Sequence, residues 1–149
     1  MARPKGQTAV LMASVDDVET EFYESLQRAD IERLMAVWSD DDEVVCVHPG
    51  GPRVVGHAAI RATFEAIFAN GAIPVRPEKL TRVDGAACSV HNLLERVDIA
   101  TAEGVQTAWV IATNVYLKTV QGWRLVAHHA SPGSSRELPE VVDAPTTLH

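Results

Sequence analysis

Apolar residues recur along the first half of the chain at helical spacing. Val15, Val18, Phe22 and Leu26 follow at intervals of three and four, which places one stripe on one helix face. Ser14 precedes them with Asp17 three residues on, a capping box that carries Asp in place of Glu. Asp30 is placed to cap a second, shorter helix with Ile31, Leu34, Met35 and Trp38 inward, and the acidic run Asp40–Glu43 ends it. A third stripe, Ile60, Phe64, Ile67 and Phe68, predicts a helix over 57–69, stopped by Asn70-Gly71.

Between the second and third helices lies EVVCVHP, a β-branched run that enters a Pro49-Gly50-Gly51-Pro52 turn and reads as a strand. Beyond residue 74 the pattern is strand-like throughout. Candidate strands cover about 74–83, 87–99, 105–119 and 123–131, divided by turns at Asp84-Gly85, Glu103-Gly104 and Gln121-Gly122. Helices segregated from a mainly antiparallel sheet predict an α+β domain. Neither GxGxxG nor GxxxxGK[ST] occurs to suggest a nucleotide-binding βαβ unit. The patterned region is 14–132. Residues 1–13 read as a flexible leader and 133–149 as a flexible tail containing Gly133, Pro139 and Pro145.

Composition narrows the partners. Thirteen Lys and Arg against twenty Asp and Glu give a net charge of −7 over 149 residues, which opposes binding to nucleic acid or to anionic lipid. Eight aromatic residues leave the core to aliphatic side chains. Cys46 and Cys88 lack metal or redox spacing and read as buried free thiols. No apolar run is long enough to span a bilayer, and the AVLMA patch near the start is too short for a secretory core, so the expected location is cytoplasmic.

The ordered set RADIERLMAVWSDD, VVCVHPGG, VVGHAAIRATFEAIF, VHNLLERV, ATNVYLKT and GWRLVAHHASP resembles the nuclear transport factor 2-like superfamily, and within it the SnoaL-like group distantly related to ketosteroid isomerases. The resemblance spans about 14–132. It implies a cone: a curved, mainly antiparallel sheet, as in cystatin-like folds, wrapped around three N-terminal helices, with a pocket at one end. It also implies a homodimer joined through the outer sheet face. The fold hosts isomerases, cyclases, dehydratases and plain binding modules, so it does not select among them.

Several polar residues fall where such a pocket could use them. His48 ends the first strand before Pro49, where the isomerase relatives carry a proton-moving carboxylate, and an imidazole suits a general base at neutral pH. The alternative is a histidine that bonds a turn carbonyl and orders the HPGG loop. The relatives' oxyanion hole combines a first-helix tyrosine with a protonated aspartic acid. The tyrosine position falls on Phe22, with Tyr23 about 100° away around the helix, and the aspartic acid position falls on Asn114, whose amide can donate to an oxyanion. Otherwise Asn114 is a structural amide between strands.

His91 and Glu95 share a strand face with Leu93 and read as an inward ion pair or relay, or as a surface pair. Of the adjacent His128 and His129, alternation turns one inward. Alignment favours His129, in phase with Ala127 and Leu125, although a slip of one residue swaps every assignment. Trp38, Phe22, Phe64, Phe68, Leu93 and Tyr116 would wall the pocket or simply fill the core, and Trp109 falls on the outer face. Three histidines and a carboxylate could ligate zinc or iron, but no HxH or HExxH pair is present, and no metal or cofactor is expected.

Two functions remain open. One is cofactor-free acid–base chemistry of isomerase, cyclase or dehydratase type on a small, partly apolar molecule, with His48 moving the proton. The other is a binding or dimeric assembly module that transforms nothing.

Overall fold

A computed structural model describes residues 13–133 and 140–143. Most of the expected leader (1–13) and tail (133–149) therefore lie outside the described residues. Among the described residues, α1 (Val15–Arg28), α2 (Ile31–Val37) and α3 (His57–Phe68) pack with β1 (Val45–Val47), β2 (Arg53–Val55), β3 (Val75–Asp84), β4 (Cys88–Thr101), β5 (Gly104–Thr119) and β6 (Gly122–Pro132). The fold is the expected α+β arrangement of helices on one curved sheet.

The helix ends follow their local chemistry. Ser14 Oγ accepts from the Asp17 amide at 3.1 Å, and Asp30 Oδ1 accepts from the Arg33 amide at 3.1 Å. Each satisfies a backbone donor that the first helical turn leaves unpaired. Ala29 closes α1 in the left-handed conformation, at φ 51°, and lets the Asp30 amide reach Ser25 O at 3.0 Å. Gly71 takes φ 111° just beyond α3, the conformational freedom the Asn70-Gly71 signal implied.

The sheet order is β2-β1-β6-β5-β4-β3. The four long strands form an antiparallel meander, and β1 lies parallel to β6, so the short N-terminal hairpin extends the sheet beyond β6. Strand β2 was not expected. With three residues it is too short for alternation to register, and it exists because the HPGGP turn folds Arg53–Val55 back on Val45–Val47.

Core side chains fill the space between the helices and the inner sheet face. Phe22, Leu34, Ile60, Leu93, Ala112, Tyr116 and Leu125 are all fully buried there. Cys46 joins this core, whereas Cys88 at the start of β4 is exposed, contrary to its expected burial. The outer sheet face presents Val90 and Leu117, both exposed, beside the half-buried Trp109, Ile111 and Val115. None of the described helices is long and apolar enough to cross a membrane.

Candidate functional site

Strand register assembles the site. Cys46 on β1 lies opposite His128 on β6, His128 opposite Asn114 on β5, and Asn114 opposite His91 on β4. These four residues form one row across the inner face, and α1 lies over it with Glu19 and Tyr23, one helical turn apart. One turn of α1 thus meets a sheet row built from four strands.

The row and the helix are joined by a buried hydrogen-bond network. The His91 Nδ1–H donates to Glu19 Oε2 at 2.8 Å, and the Tyr116 hydroxyl donates to the same oxygen at 2.7 Å. The Tyr23 hydroxyl donates to Glu95 Oε2 at 2.7 Å while accepting from Asn114 Nδ2 at 3.1 Å. The His128 Nδ1–H donates to Asn114 Oδ1 at 2.5 Å. Asn114 also lies against the Tyr116 hydroxyl, which links the two halves.

Burial governs the electrostatics. Glu95 is pushed up to about 7 by desolvation, which the Tyr23 hydrogen bond offsets only in part and the charge of Glu19 reinforces. His128 is held down at about 3, mostly by desolvation, with His48 and His129 adding like-charge repulsion. Its ring is therefore neutral at neutral pH, with the proton on Nδ1. Tyr23 and Tyr116 are raised well above the ordinary phenol value by burial first and then by their carboxylate partners.

His48 stands at the edge of this interior. Its Nε2 lies 3.7 Å from Cys46 Sγ, and its ring meets Phe64 edge-on with centroids 4.9 Å apart. Partial burial holds the imidazole below its usual range, so it is neutral and able to accept a proton at pH 7. The Cys46 thiol beside it is driven up to about 12 by burial and is no nucleophile. The HPGG turn is closed by backbone, with the Gly51 amide donating to His48 O at 2.8 Å. The His48 side chain is not needed for that.

Several expectations change. His129 is exposed and His128 is buried. The reason is a β-bulge: Val115 pairs with Ala127 but Tyr116 pairs with Leu125, so Val126 is an extra residue that reverses the alternation after Leu125. His91 and Glu95 face inward as expected but do not pair with each other; each is bonded instead to α1, at Glu19 and Tyr23. Phe22 and Tyr23 are both buried, and Tyr23, not the residue at the expected position, reaches Asn114. Glu19 was missed altogether. Its signal was present, since it stands four residues before Tyr23 on the same helical face.

Of the aromatic wall, Trp38, Phe22, Phe64 and Tyr116 are buried with Leu93, while Phe68 is half-buried at the Phe64 ring. The histidines and carboxylates do not converge as a ligand set: among the described residues no three His, Cys, Asp or Glu side chains come together as a metal site.

The model of the SnoaL-like domain matches residues 15–135, most of the chain. The chain belongs to the SnoaL-like family. Among solved structures, this SnoaL-like domain is similar to one from Thiobacillus denitrificans, a candidate calcium/calmodulin-dependent protein kinase type II association domain. The two are 30% identical, with 83% of this chain and 98% of the other covered, at a TM-score of 0.75. It is also similar to a candidate dehydratase of the NTF2-like family from Streptomyces avermitilis, 28% identical over 85% of this chain and 97% of the other, at a TM-score of 0.71. A CaMKII hub from S. rosetta shares the fold at 21% identity and a TM-score of 0.63, over 89% of this chain and 99% of the other. None of the curated proteins matches.

Proposed function

We propose that the unit over 14–132 takes up a small, partly apolar molecule between His48 and the inner network and moves a proton on it without a cofactor, as isomerases and dehydratases do. The observation that carries this reading is the unbroken chain His128–Asn114–Tyr23–Glu95 inside the fold. A core of apolar side chains would stabilise the domain better, because each buried polar group forfeits hydration. A connected polar chain next to a neutral, half-buried histidine suits catalysis instead.

In this scheme His48 is the base that accepts and returns the proton, and the apolar body of the molecule rests on Phe64 and Phe68. Asn114, which gives an N–H to Tyr23 and lies against the Tyr116 hydroxyl, orients both phenols as a positioning residue. Tyr23 acts as a positioning residue, since its own proton is committed to Glu95. The likeness to a candidate dehydratase supports this class of reaction.

The decisive variant is His48→Gln, which keeps a polar side chain but cannot cycle a proton. Assayed against cyclic ketones and β-hydroxy ketones, it should lose at least a hundredfold in turnover of whichever compound the wild type converts, with Tm essentially unchanged. Retained turnover, or a large fall in Tm, would overturn the assignment of His48 as base.

A second reading is favoured by a different observation. The similarity to an association domain, together with the apolar outer sheet face, suits an assembly module that joins copies through that face.

A further inference from the structure

The direction of the interior hydrogen bonds points to a ligand class. The Tyr23 and Tyr116 hydroxyls and the His91 Nδ1–H all donate to carboxylates, and the His128 Nδ1–H is spent on Asn114. What the network itself has left over is acceptors; the Trp38 Nε1–H, a buried donor with no partner among the described residues, lies outside it. Glu95 Oε1 receives no hydrogen bond among the described residues. His91 is wholly buried, yet its Nε2 has no hydrogen-bond partner, with Asp84 Oδ1 4.0 Å away. Its Nδ1 is the nitrogen that donates to Glu19.

Charge points the same way. Glu95, only 7% exposed, has nothing beside it except a neutral hydroxyl. No Lys or Arg among the described residues bonds Glu19 or Glu95. A buried carboxylate with no cation is costly, and it meets that cost by holding its proton or by gaining a cation from outside. The groups around Glu95 do not: they are Glu19 and Tyr23 from α1, Cys46 from β1 and Tyr116 from β5. Once ionised, Glu95 repels an anion at its own end of this interior.

We infer that the molecule held in this interior, on the pocket reading proposed above, is a small apolar amine bound as its ammonium ion, with the charge on Glu95 and the hydrocarbon body towards Phe64. The net charge of −7 steers such a cation inward and an anion away.

Benzylamine, benzyl alcohol and benzoate have nearly one shape and carry positive, zero and negative charge, so their affinities measured by calorimetry isolate the preference. Benzylamine should bind about tenfold or more tighter than benzoate, and Glu95→Gln should bring benzylamine to the level of benzyl alcohol. In the wild type, benzylamine affinity should climb about tenfold from pH 6 to pH 8 as Glu95 ionises, an arm that needs no variant. Benzoate binding as tightly as benzylamine overturns the amine assignment and leaves the pocket standing. An amine preference that survives Glu95→Gln, or a flat pH profile, also overturns it. Binding of none of the three defeats the pocket and the amine together.

Discussion

Glu95 and His128 sit in one network and respond to pH in opposite senses. The fold disfavours ionised Glu95, so the native state holds that proton more tightly than the unfolded chain, and stability drains as pH rises from the ordinary 4.5 to about 7. The fold disfavours protonated His128, so stability drains as pH falls from 6.5 to about 3. Between 4.5 and 6.5 the two slopes, each ~1.4 kcal/mol per pH unit, oppose one another. Glu95→Gln keeps an acceptor for Tyr23 and removes one slope. Its stability relative to wild type, from urea unfolding, should therefore improve by up to about 3 kcal/mol between pH 4.5 and 7. A difference that does not change with pH would show that Glu95 ionises normally in the fold.

At the scale of elements, the join between α1 and α2 carries a local conflict. Ala29 is left-handed at φ 51°, a conformation that costs a residue with a Cβ about 1 kcal/mol or more. Ala29→Gly should relieve it, and after the extra freedom glycine gains when unfolded, a net gain of about 0.5 kcal/mol is expected as a higher Tm. A lower Tm would mean that the Ala29 methyl group contributes more by packing than its backbone loses.

Much of this level was legible in advance. The apolar stripe of α1, the two Ser and Asp caps and the four long strands all show in residue order, because each depends on neighbours three or four positions away. What escaped depends on contacts remote in sequence. The buried face of α1 is broad enough to take Glu19, Phe22 and Tyr23 together, and which of them touches Asn114 is decided by how the helix lies on β5. The phase of β6 is decided by an extra residue that no local pattern marks.

For the whole molecule, the sheet is covered on its inner face and apolar in part on the other. Val90, Leu117 and the half-buried Trp109 are spread over β4 and β5, where a second copy could meet them. Sedimentation equilibrium at micromolar concentration should give a dimer or larger assembly. Leu117→Glu should shift it towards monomer by tenfold or more in dissociation constant while leaving the inner core folded. A wild-type monomer, or a variant that associates unchanged, would remove the assembly role. Inner and outer positions alternate along the same strands, so this variant tests the outer face without touching the network.

The extra residue at Val126 reconciles two demands that one unbroken strand cannot meet. Leu125 must enter the core beside Tyr116, and His128 must reach Asn114, but they are three apart and a regular strand would turn them to opposite sides. An unbulged strand of this same length would keep either its oily anchor or its interior imidazole, never both. The identity of the histidine inside is thus stored in the bulge, not in a residue type: an unbroken ladder onward from Leu125 would seat His129 there in place of His128, with no change of sequence.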